Sequence, residues 1–308
     1  MNSKTLFYVL KRLLMAIVTI IVVITATFFL MNAIPGGPFL SEKGVSDATL
    51  AAMKAKYGLD QPLYIQYFNY LKYALVFDYG FSIKQKGFTV MYLIMDGLKT
   101  SLPLGAIAAF IALCVGTTLG SLAAVYHNKV VDRVVMVFST ASVAFPSFII
   151  ATVLLYVFCN LLKWLPANGM SIQGYILPCI TLSLYPTAYI TRLARSSTLD
   201  ALGSDYIRTA KAKGVSQPKI IFKHALRNSL TPVITYFGPM FASIITGSLV
   251  VEQVYSIPGL GRYFVKAITG RDYPLIMGTT IFLTVVVIFM ILLSDILYKV
   301  ANPRVELE

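Results

Sequence analysis

The chain has 308 residues, of which 57% are hydrophobic and only 13% are charged, and its formal net charge is +13 at pH 7. So low a charged fraction excludes an ordinary soluble domain and indicates a membrane protein. The excess of positive charge does not indicate nucleic-acid binding, because its densest run lies between two apolar segments and the sequence contains no recognised binding module.

Six apolar runs are long enough to cross a bilayer, since a helix rises about 1.5 Å per residue and the hydrocarbon core is about 30 Å thick. The first run has a basic lead-in like that of a signal peptide, but it is too long and ends without a small-residue cleavage site, so we expect an uncleaved helix. The fourth is polar and contains Pro178 and Pro186, which favours a place inside a bundle. The predicted spans are residues 13–34, 101–125, 134–158, 176–194, 232–251 and 275–300.

The distribution of basic residues predicts the orientation of these spans. The side that holds both termini has 15 Lys and Arg, whereas the short loops on the other side have four. Positive loops stay in the cytoplasm, so residues 1–12 and 301–308 are predicted to be cytoplasmic. Residues 35–100 then form an extracytoplasmic region of about 65 residues, in which residues 62–75 predict a short amphipathic helix that starts with proline.

The residues that usually carry chemistry are sparse and scattered. The three cysteines (Cys114, Cys159 and Cys179) show no metal-ligand spacing, and a disulfide between the last two stays open. The only histidines, His127 and His224, have no zinc-protease spacing, and no phosphate-binding P-loop occurs. We therefore expect no catalytic residue, no metal site and no cofactor bound by this chain.

Residues 208–232 form a basic segment whose punctuation predicts a helix, a turn and a second helix. Ser204 or Asp205 can cap the first helix, Gly214 can end it and Ser216 can cap the second. Composition alone favours a helix that lies on anionic lipid. The small residues Ala210 and Gly214 instead favour close docking of another protein. On the second helix, the predicted basic stripe is Lys219, Lys223 and Arg227, and the predicted apolar face is Ile221, Phe222, Ala225 and Leu226.

The spacing from Arg208 through Gly214 to the HALR sequence at residues 224–227 resembles the EAA loop of ABC-importer permeases. Arg208 and Thr209 stand where that motif has Glu and Ala. The resemblance implies that residues 195–231, which we call the coupling loop, dock on a cytoplasmic ATPase. The residues that it assigns to coupling are Arg208, Thr209, Ala210, Lys211, Gly214, Val215, Ser216 and His224.

A second block, at residues 251–278, contains IPGLG and RDYP, and it resembles the loop between the last two spans of oligopeptide and dipeptide permeases. The stretches LKRLLMAI, AIPGGPF, FDYGFS and ASVAFPSFI fit the same family. We call residues 252–274 the gate loop, and its candidate residues are Glu252, Pro258, Gly259, Gly261, Arg271 and Asp272. For Glu252 a gating role, a structural role and substrate contact stay open. For Arg271 and Asp272 loop anchoring is favoured over contact with a peptide.

The chain as a whole resembles the oligopeptide/dipeptide ABC importer permease family, most closely its B-type oligopeptide subunits. The resemblance implies an all-α integral membrane protein with the six helices of the type I importer architecture, five of them in a core at residues 101–300. It also implies a bacterial cytoplasmic membrane location and inward transport of oligopeptides, with dipeptide, glutathione and nickel as alternative cargoes. An intramembrane enzyme or a secondary transporter is disfavoured, because neither a catalytic constellation nor an internal repeat is visible.

The same resemblance implies a set of partners. These are a homologous second permease, two cytoplasmic ATPase subunits that hold ATP and Mg, and an extracytoplasmic peptide-binding protein. The peptide substrate and membrane lipid complete the set.

Overall fold

The structure is a computed structural model that describes residues 3–35, 37–39, 46–167 and 171–301. Within these ranges it is helical, with one isolated β-bridge between Phe81 and Thr89, so the predicted all-α class is confirmed. The helices are α1 Ser3–Ala33, α2 Asp47–Lys56, α3 Leu63–Leu75, α4 Val90–Val125, α5 Val130–Ala144, α6 Ser147–Leu155, α7 Ile176–Gly203, α8 Asp205–Ala212, α9 Gln217–Lys219, α10 Leu226–Ser229, α11 Thr231–Val254, α12 Leu260–Gly270 and α13 Tyr273–Ala301.

Three helical segments of the described chain are long and apolar enough to cross a membrane: Leu10–Ala33, Val90–Val125 and Tyr273–Ile296. The number rises to five if α5 with α6, and α11 with its bend, each count as one span. The predicted fourth span corresponds to α7, which is long but contains too many polar residues to meet the same criterion. The six-span count therefore stays a prediction.

The predicted third span, residues 134–158, is not one straight helix. It is broken between α5 and α6, whose axes differ by 101°. Pro146 is the N-cap of α6, and Phe145 before it has an extended backbone with φ −91° and ψ 127°. A proline lacks an N–H group and disfavours helical geometry in the residue before it, which accounts for the break.

Two helices extend beyond the apolar runs that they contain. Helix α4 begins at Val90, inside the predicted extracytoplasmic region, and α7 continues to Gly203, beyond the predicted end at residue 194. Lys99 and Arg195 lie beside these apolar runs, but a charged side chain does not end a helix. The short helix predicted at residues 62–75 is present as α3.

The chain divides into two compact units. The first comprises the described residues of Met1–Thr100 together with Pro258–Ile288. Its core contains Phe28 of α1, Ile94 of α4 and Met277 of α13, all fully buried. Amphipathic α3 packs on α1, where Tyr67 stacks on Phe29 and its hydroxyl bonds that of Thr25 at 2.7 Å.

The second unit comprises Ser101–Ile257 and the described residues after Phe289. Helix α7 lies at its centre, packed against α5, α6, α10 and α11. The two helices α4 and α7 touch closely, because a Cβ atom at Gly120 would lie 2.3 Å from the Thr191 carbonyl oxygen. The expectation that the polar fourth segment faces a bundle interior is confirmed by the burial of Thr181, Thr187 and Thr191.

Candidate functional site

The first half of the coupling loop is a short helix closed by a glycine turn. Helix α8 begins after Ser204, ends at Ala212, and is followed by Gly214 with φ +75°. The Gly214 amide donates to the Lys211 carbonyl and the Val215 amide to the Ala210 carbonyl, at 3.0 and 3.1 Å. This pair of bonds is a Schellman motif, in which glycine adopts the left-handed conformation at little cost. The predicted C-terminal stop at Gly214 is confirmed.

The predicted caps occupy the expected positions without making the expected bonds. Ser204 precedes α8 and Ser216 precedes α9, but neither side chain accepts a bond from the helix that it starts. The Ser204 hydroxyl instead donates to the Ala201 carbonyl at 2.5 Å, and so it terminates α7.

The second half of the coupling loop contains a π-turn that the sequence pattern does not reveal. Helix α9 passes into a π-helical segment, Ile220–Ala225, before α10. A π-turn inserts one residue into the helical repeat and so rotates the residues that follow. Ile220, the first residue of the π-turn, is buried, whereas Phe222, placed on the apolar face by a regular helical period, is 71% exposed. Lys219, Lys223 and Arg227 are all exposed, as the predicted basic stripe requires.

A small apolar cluster holds the two halves of the coupling loop together. It contains Ile207 and Ala210 of α8, Ile220 and Ala225 of the π-turn, and Ala201 of α7. The Thr198 hydroxyl donates to that of Ser229 at 3.0 Å and ties α7 to α10. With the apolar side closed in this way, the exposed surface of the loop is basic and carries Arg208, Lys211, Lys213 and Phe222.

The end of α7 that leads into the coupling loop is tied to the turn before α5 by a buried charge cluster. Asp132, which is buried, accepts two bonds from the Arg195 guanidinium, from Nε at 2.6 Å and from an Nη at 2.8 Å. It also accepts the Asn128 amide at 2.9 Å. The same guanidinium lies 3.1 Å from His127 Nδ1, which must accept because a guanidinium only donates. Sequence reasoning missed this cluster, because nothing in the local pattern links residues 63 positions apart.

In the first unit, Asp272 joins two motifs that lie far apart in sequence. Its carboxylate is 1% exposed and accepts a bond from the Ser82 hydroxyl of the FDYGFS stretch. It also accepts the amides of Ile83 and Lys84 at 3.1 and 3.2 Å. The Leu275 amide, at 3.3 Å, adds an N-terminal cap for α13. These contacts are those that an anchoring role for the loop requires.

Arg271, next to it, has a left-handed backbone with φ +55° and ends α12. One guanidinium N–H donates to the Pro35 carbonyl at 2.9 Å. Glycine adopts a left-handed backbone with less strain than arginine does. The presence of arginine here therefore indicates that the contacts of its side chain offset that strain.

The glycines of IPGLG belong to the start of α12. Gly259 is the N-cap residue of α12, and Gly261, the second residue of the helix, is buried. A Cβ atom on Gly97 of α4 would lie 2.8 Å from the Leu260 backbone, so the two helices touch there. One turn on, the Tyr263 hydroxyl donates to Asp96 at 3.0 Å, and burial together with that carboxylate raises the pKa of Tyr263.

Glu252, in the second unit, lies in the last turn of α11 and is fully buried. Its carboxylate accepts bonds from the Ser101 hydroxyl at 2.6 Å and the Ser248 hydroxyl at 2.7 Å. Charge-assisted bonds of this length offset part of the free-energy cost of removing a carboxylate from water. The arrangement supports the structural reading of Glu252 and leaves its gating and substrate roles as predictions.

Groups that could hold a metal ion are absent from the described residues, and the three cysteines are free. The described part of the coupling loop instead presents an exposed basic surface, and α7 connects that surface to the interior of the second unit.

Comparison with known proteins gives two family matches. Residues 116–307 match the model described as binding-protein-dependent transport system inner membrane component, and residues 5–86 match the corresponding N-terminal model. The chain is 46% identical to the dipeptide transport system permease protein of Bacillus subtilis, over 97% of this chain and 98% of the relative. It is 44% identical to the oligopeptide transport system permease protein of Haemophilus influenzae, over 97% and 99% of the two chains.

Among solved structures, the fold is similar to that of a chain of the MetNI methionine ABC transporter in an inward-facing conformation. The TM-score is 0.56 at 16% identity, over 69% of this chain and 97% of the other. At this level of identity the likeness concerns the fold.

Proposed function

Because the chain belongs to the family of binding-protein-dependent transport system inner membrane components, we propose that it is the permease subunit of an ABC importer that carries oligopeptides inward across the bacterial cytoplasmic membrane. The observation that carries the mechanism is the coupling loop. It is a compact pair of short helices that buries Ile207, Ile220 and Ala225 between its halves and exposes its basic residues together with Phe222. Such a surface suits docking on another protein better than insertion into lipid.

The partners follow from this role. A second, homologous permease completes the path, two ATPase subunits hold ATP and Mg, and an extracytoplasmic binding protein delivers the peptide. Both termini and the coupling loop face the cytoplasm, and the chain itself does no catalysis. Closure of the ATPase dimer pushes on the coupling loop, and α7 transmits that movement to the helices around the path.

A dipeptide importer is the second candidate, because the Bacillus relative at 46% identity is a dipeptide permease. The two cargoes differ in length, so uptake of labelled peptides of two to six residues by the reconstituted complex distinguishes them. ATP hydrolysis that rises with added peptide and binding protein supports either candidate. If no ATPase co-purifies with the chain, both candidate functions are excluded.

Gly214→Asp tests the coupling role. A Cβ atom at Gly214 meets nothing within 4 Å, and Asp tolerates the left-handed backbone better than most residues, so we expect the subunit to fold and insert. The new carboxylate would enter the docking surface, so peptide uptake should fall by at least tenfold.

Gly87→Asp is the matched control, because Gly87 also has a left-handed backbone with φ +88°, its Cβ atom also meets nothing within 4 Å, and it lies outside the coupling loop. It should keep uptake near that of the unmodified protein. Normal uptake in Gly214→Asp would rule out docking at this turn.

A further inference from the structure

The first unit has an apolar groove of about 300 Å³ between α1, α12 and α13. Its walls include Leu30 of α1, Ile34 just after α1, Ile268 of α12 and Ile276 of α13. Leu30 is 69% exposed, and Ile34 and Ile268 are about half exposed. Both α1 and α13 contain segments apolar enough to span a membrane, so the groove opens where hydrocarbon chains are expected.

One end of the groove carries a positive charge. Arg271 and Tyr273 lie there, at the end of α12 and the start of α13. Thr280, seven residues further along α13, also lines the groove, which places it about 10 Å from Tyr273 along the helix axis. Tyr and Arg at the end of a membrane helix are typical of the level of the lipid headgroups.

Arg271 is held so that it can bind a second group. Among the residues that the structure describes, the Pro35 carbonyl accepts one guanidinium N–H, and a guanidinium has five such donors in a planar fork that matches a phosphate. Its left-handed backbone fixes the direction of the side chain at a position where a glycine would be less strained.

We propose that this groove is a binding site for one anionic phospholipid, with the phosphate at Arg271 and an acyl chain lying along Leu30, Ile34 and Ile268. A cation at one end of an apolar channel is complementary to an anionic head on a hydrocarbon tail. The expected preference over a zwitterionic lipid is about fivefold, the effect of one basic residue near a lipid headgroup.

The test uses the full chain in phosphatidylcholine vesicles that contain either brominated phosphatidylglycerol or brominated phosphatidylcholine. The only tryptophan, Trp164, is replaced by Phe, and Leu30→Trp places a fluorescent probe on the exposed rim of the groove. Val22→Trp, also exposed on α1 but outside the groove, is the reference probe. We expect brominated phosphatidylglycerol to quench Leu30→Trp with about fivefold higher apparent affinity, and the two lipids to quench Val22→Trp equally.

Charge variants test whether the preference for the anionic lipid depends on Arg271. Arg271→Gln should reduce it to near one, whereas Lys266→Gln, an exposed cation on the same helix with the same change in charge, should leave it intact. Arg271→Lys keeps the charge and should retain a reduced preference, which separates charge loss from misfolding.

Three results would overturn the proposal. Equal quenching by both lipids at Leu30→Trp would mean an unselective lipid annulus. Weak quenching by both would mean that protein covers the groove. Loss of preference in Lys266→Gln would mean a diffuse field rather than a site.

Discussion

At the scale of single residues, buried acids determine how distant parts of each unit meet. Asp272 gathers the Ser82 hydroxyl and the amides of Ile83, Lys84 and Leu275 around one carboxylate. In the second unit, Glu252 accepts bonds from two serine hydroxyls, and Asp132 accepts bonds from the Arg195 guanidinium. Bonds to a charged acceptor contribute more than neutral ones, and a buried donor left without an acceptor is costly. These three acids therefore matter more to stability than exposed acids do.

Asp272→Asn tests this at one carboxylate. The amide would present N–H groups to donors that now face an oxygen, so we expect the free energy of unfolding to fall by about 2–3 kcal/mol. The thermal unfolding midpoint in detergent is the measurement, and Asp60→Asn, at an exposed position, is the control. Equal midpoints for the two variants would show that the carboxylate contributes little.

Local sequence signals could predict turns such as the one at Gly214, but not the side-chain contacts between residues far apart in the chain. Gly214 was predictable, because a glycine after a short basic helix is a local signal. The meeting of Ser82 with Asp272 was not, since 190 positions separate them and no local pattern encodes the pairing. The pairing of Asp132 with Arg195 escaped prediction for the same reason.

At the scale of helices, the length of the apolar runs predicted where most helices lie. Prolines and irregular turns within or beside the runs determined the shape of the helices. The break at Pro146 divides one predicted span into α5 and α6, and the π-turn at Ile220–Ala225 turns Phe222 outward. Small residues determine how closely helices approach, as Gly120 shows for α4 and α7. Close approach through small residues is a common way to pack helices in membranes.

Gly120→Ala should force α4 and α7 apart. The added methyl group would lie 2.3 Å from the Thr191 carbonyl oxygen, which is backbone and cannot rotate away. We expect a loss of about 2 kcal/mol in stability, as for other overpacked interiors. Gly105→Ala, on the same helix, places its methyl group 3.4 Å from an Ile245 side-chain carbon and should be close to neutral. Thermal unfolding of the two variants side by side gives the comparison, and similar losses would argue against tight packing at Gly120.

At the scale of the whole molecule, the proposed mechanism requires the coupling loop and the helices around the transport path to move together. The Arg195–Asp132 pair is placed to carry that movement, because it joins the last turns of α7 to the start of α5. Breaking one partner of a buried ion pair leaves an unpaired charge, which costs about 3–5 kcal/mol. The consequence for a permease is a looser connection between ATP hydrolysis and helix movement.

Arg195→Gln should therefore lower peptide uptake per ATP hydrolysed by about tenfold in the reconstituted complex, while hydrolysis continues. Arg192→Gln, three residues earlier on α7, has the same change in charge and should keep the ratio of the unmodified protein. Thermal unfolding measured in parallel separates a loss of coupling from a loss of fold. An unchanged ratio in Arg195→Gln would exclude this pair from the transmission of movement.

The buried hydroxyls of α7 have a consequence for how the chain is made. Thr181, Thr191 and Thr198 are all buried, and Thr198 bonds Ser229 of α10, so these polar side chains of α7 face neighbouring helices and not hydrocarbon. A segment this polar gains little by partitioning into a bilayer alone. We expect α7 to leave the insertion machinery only in the company of its neighbours, so that biogenesis of the subunit waits until α11 has been synthesised.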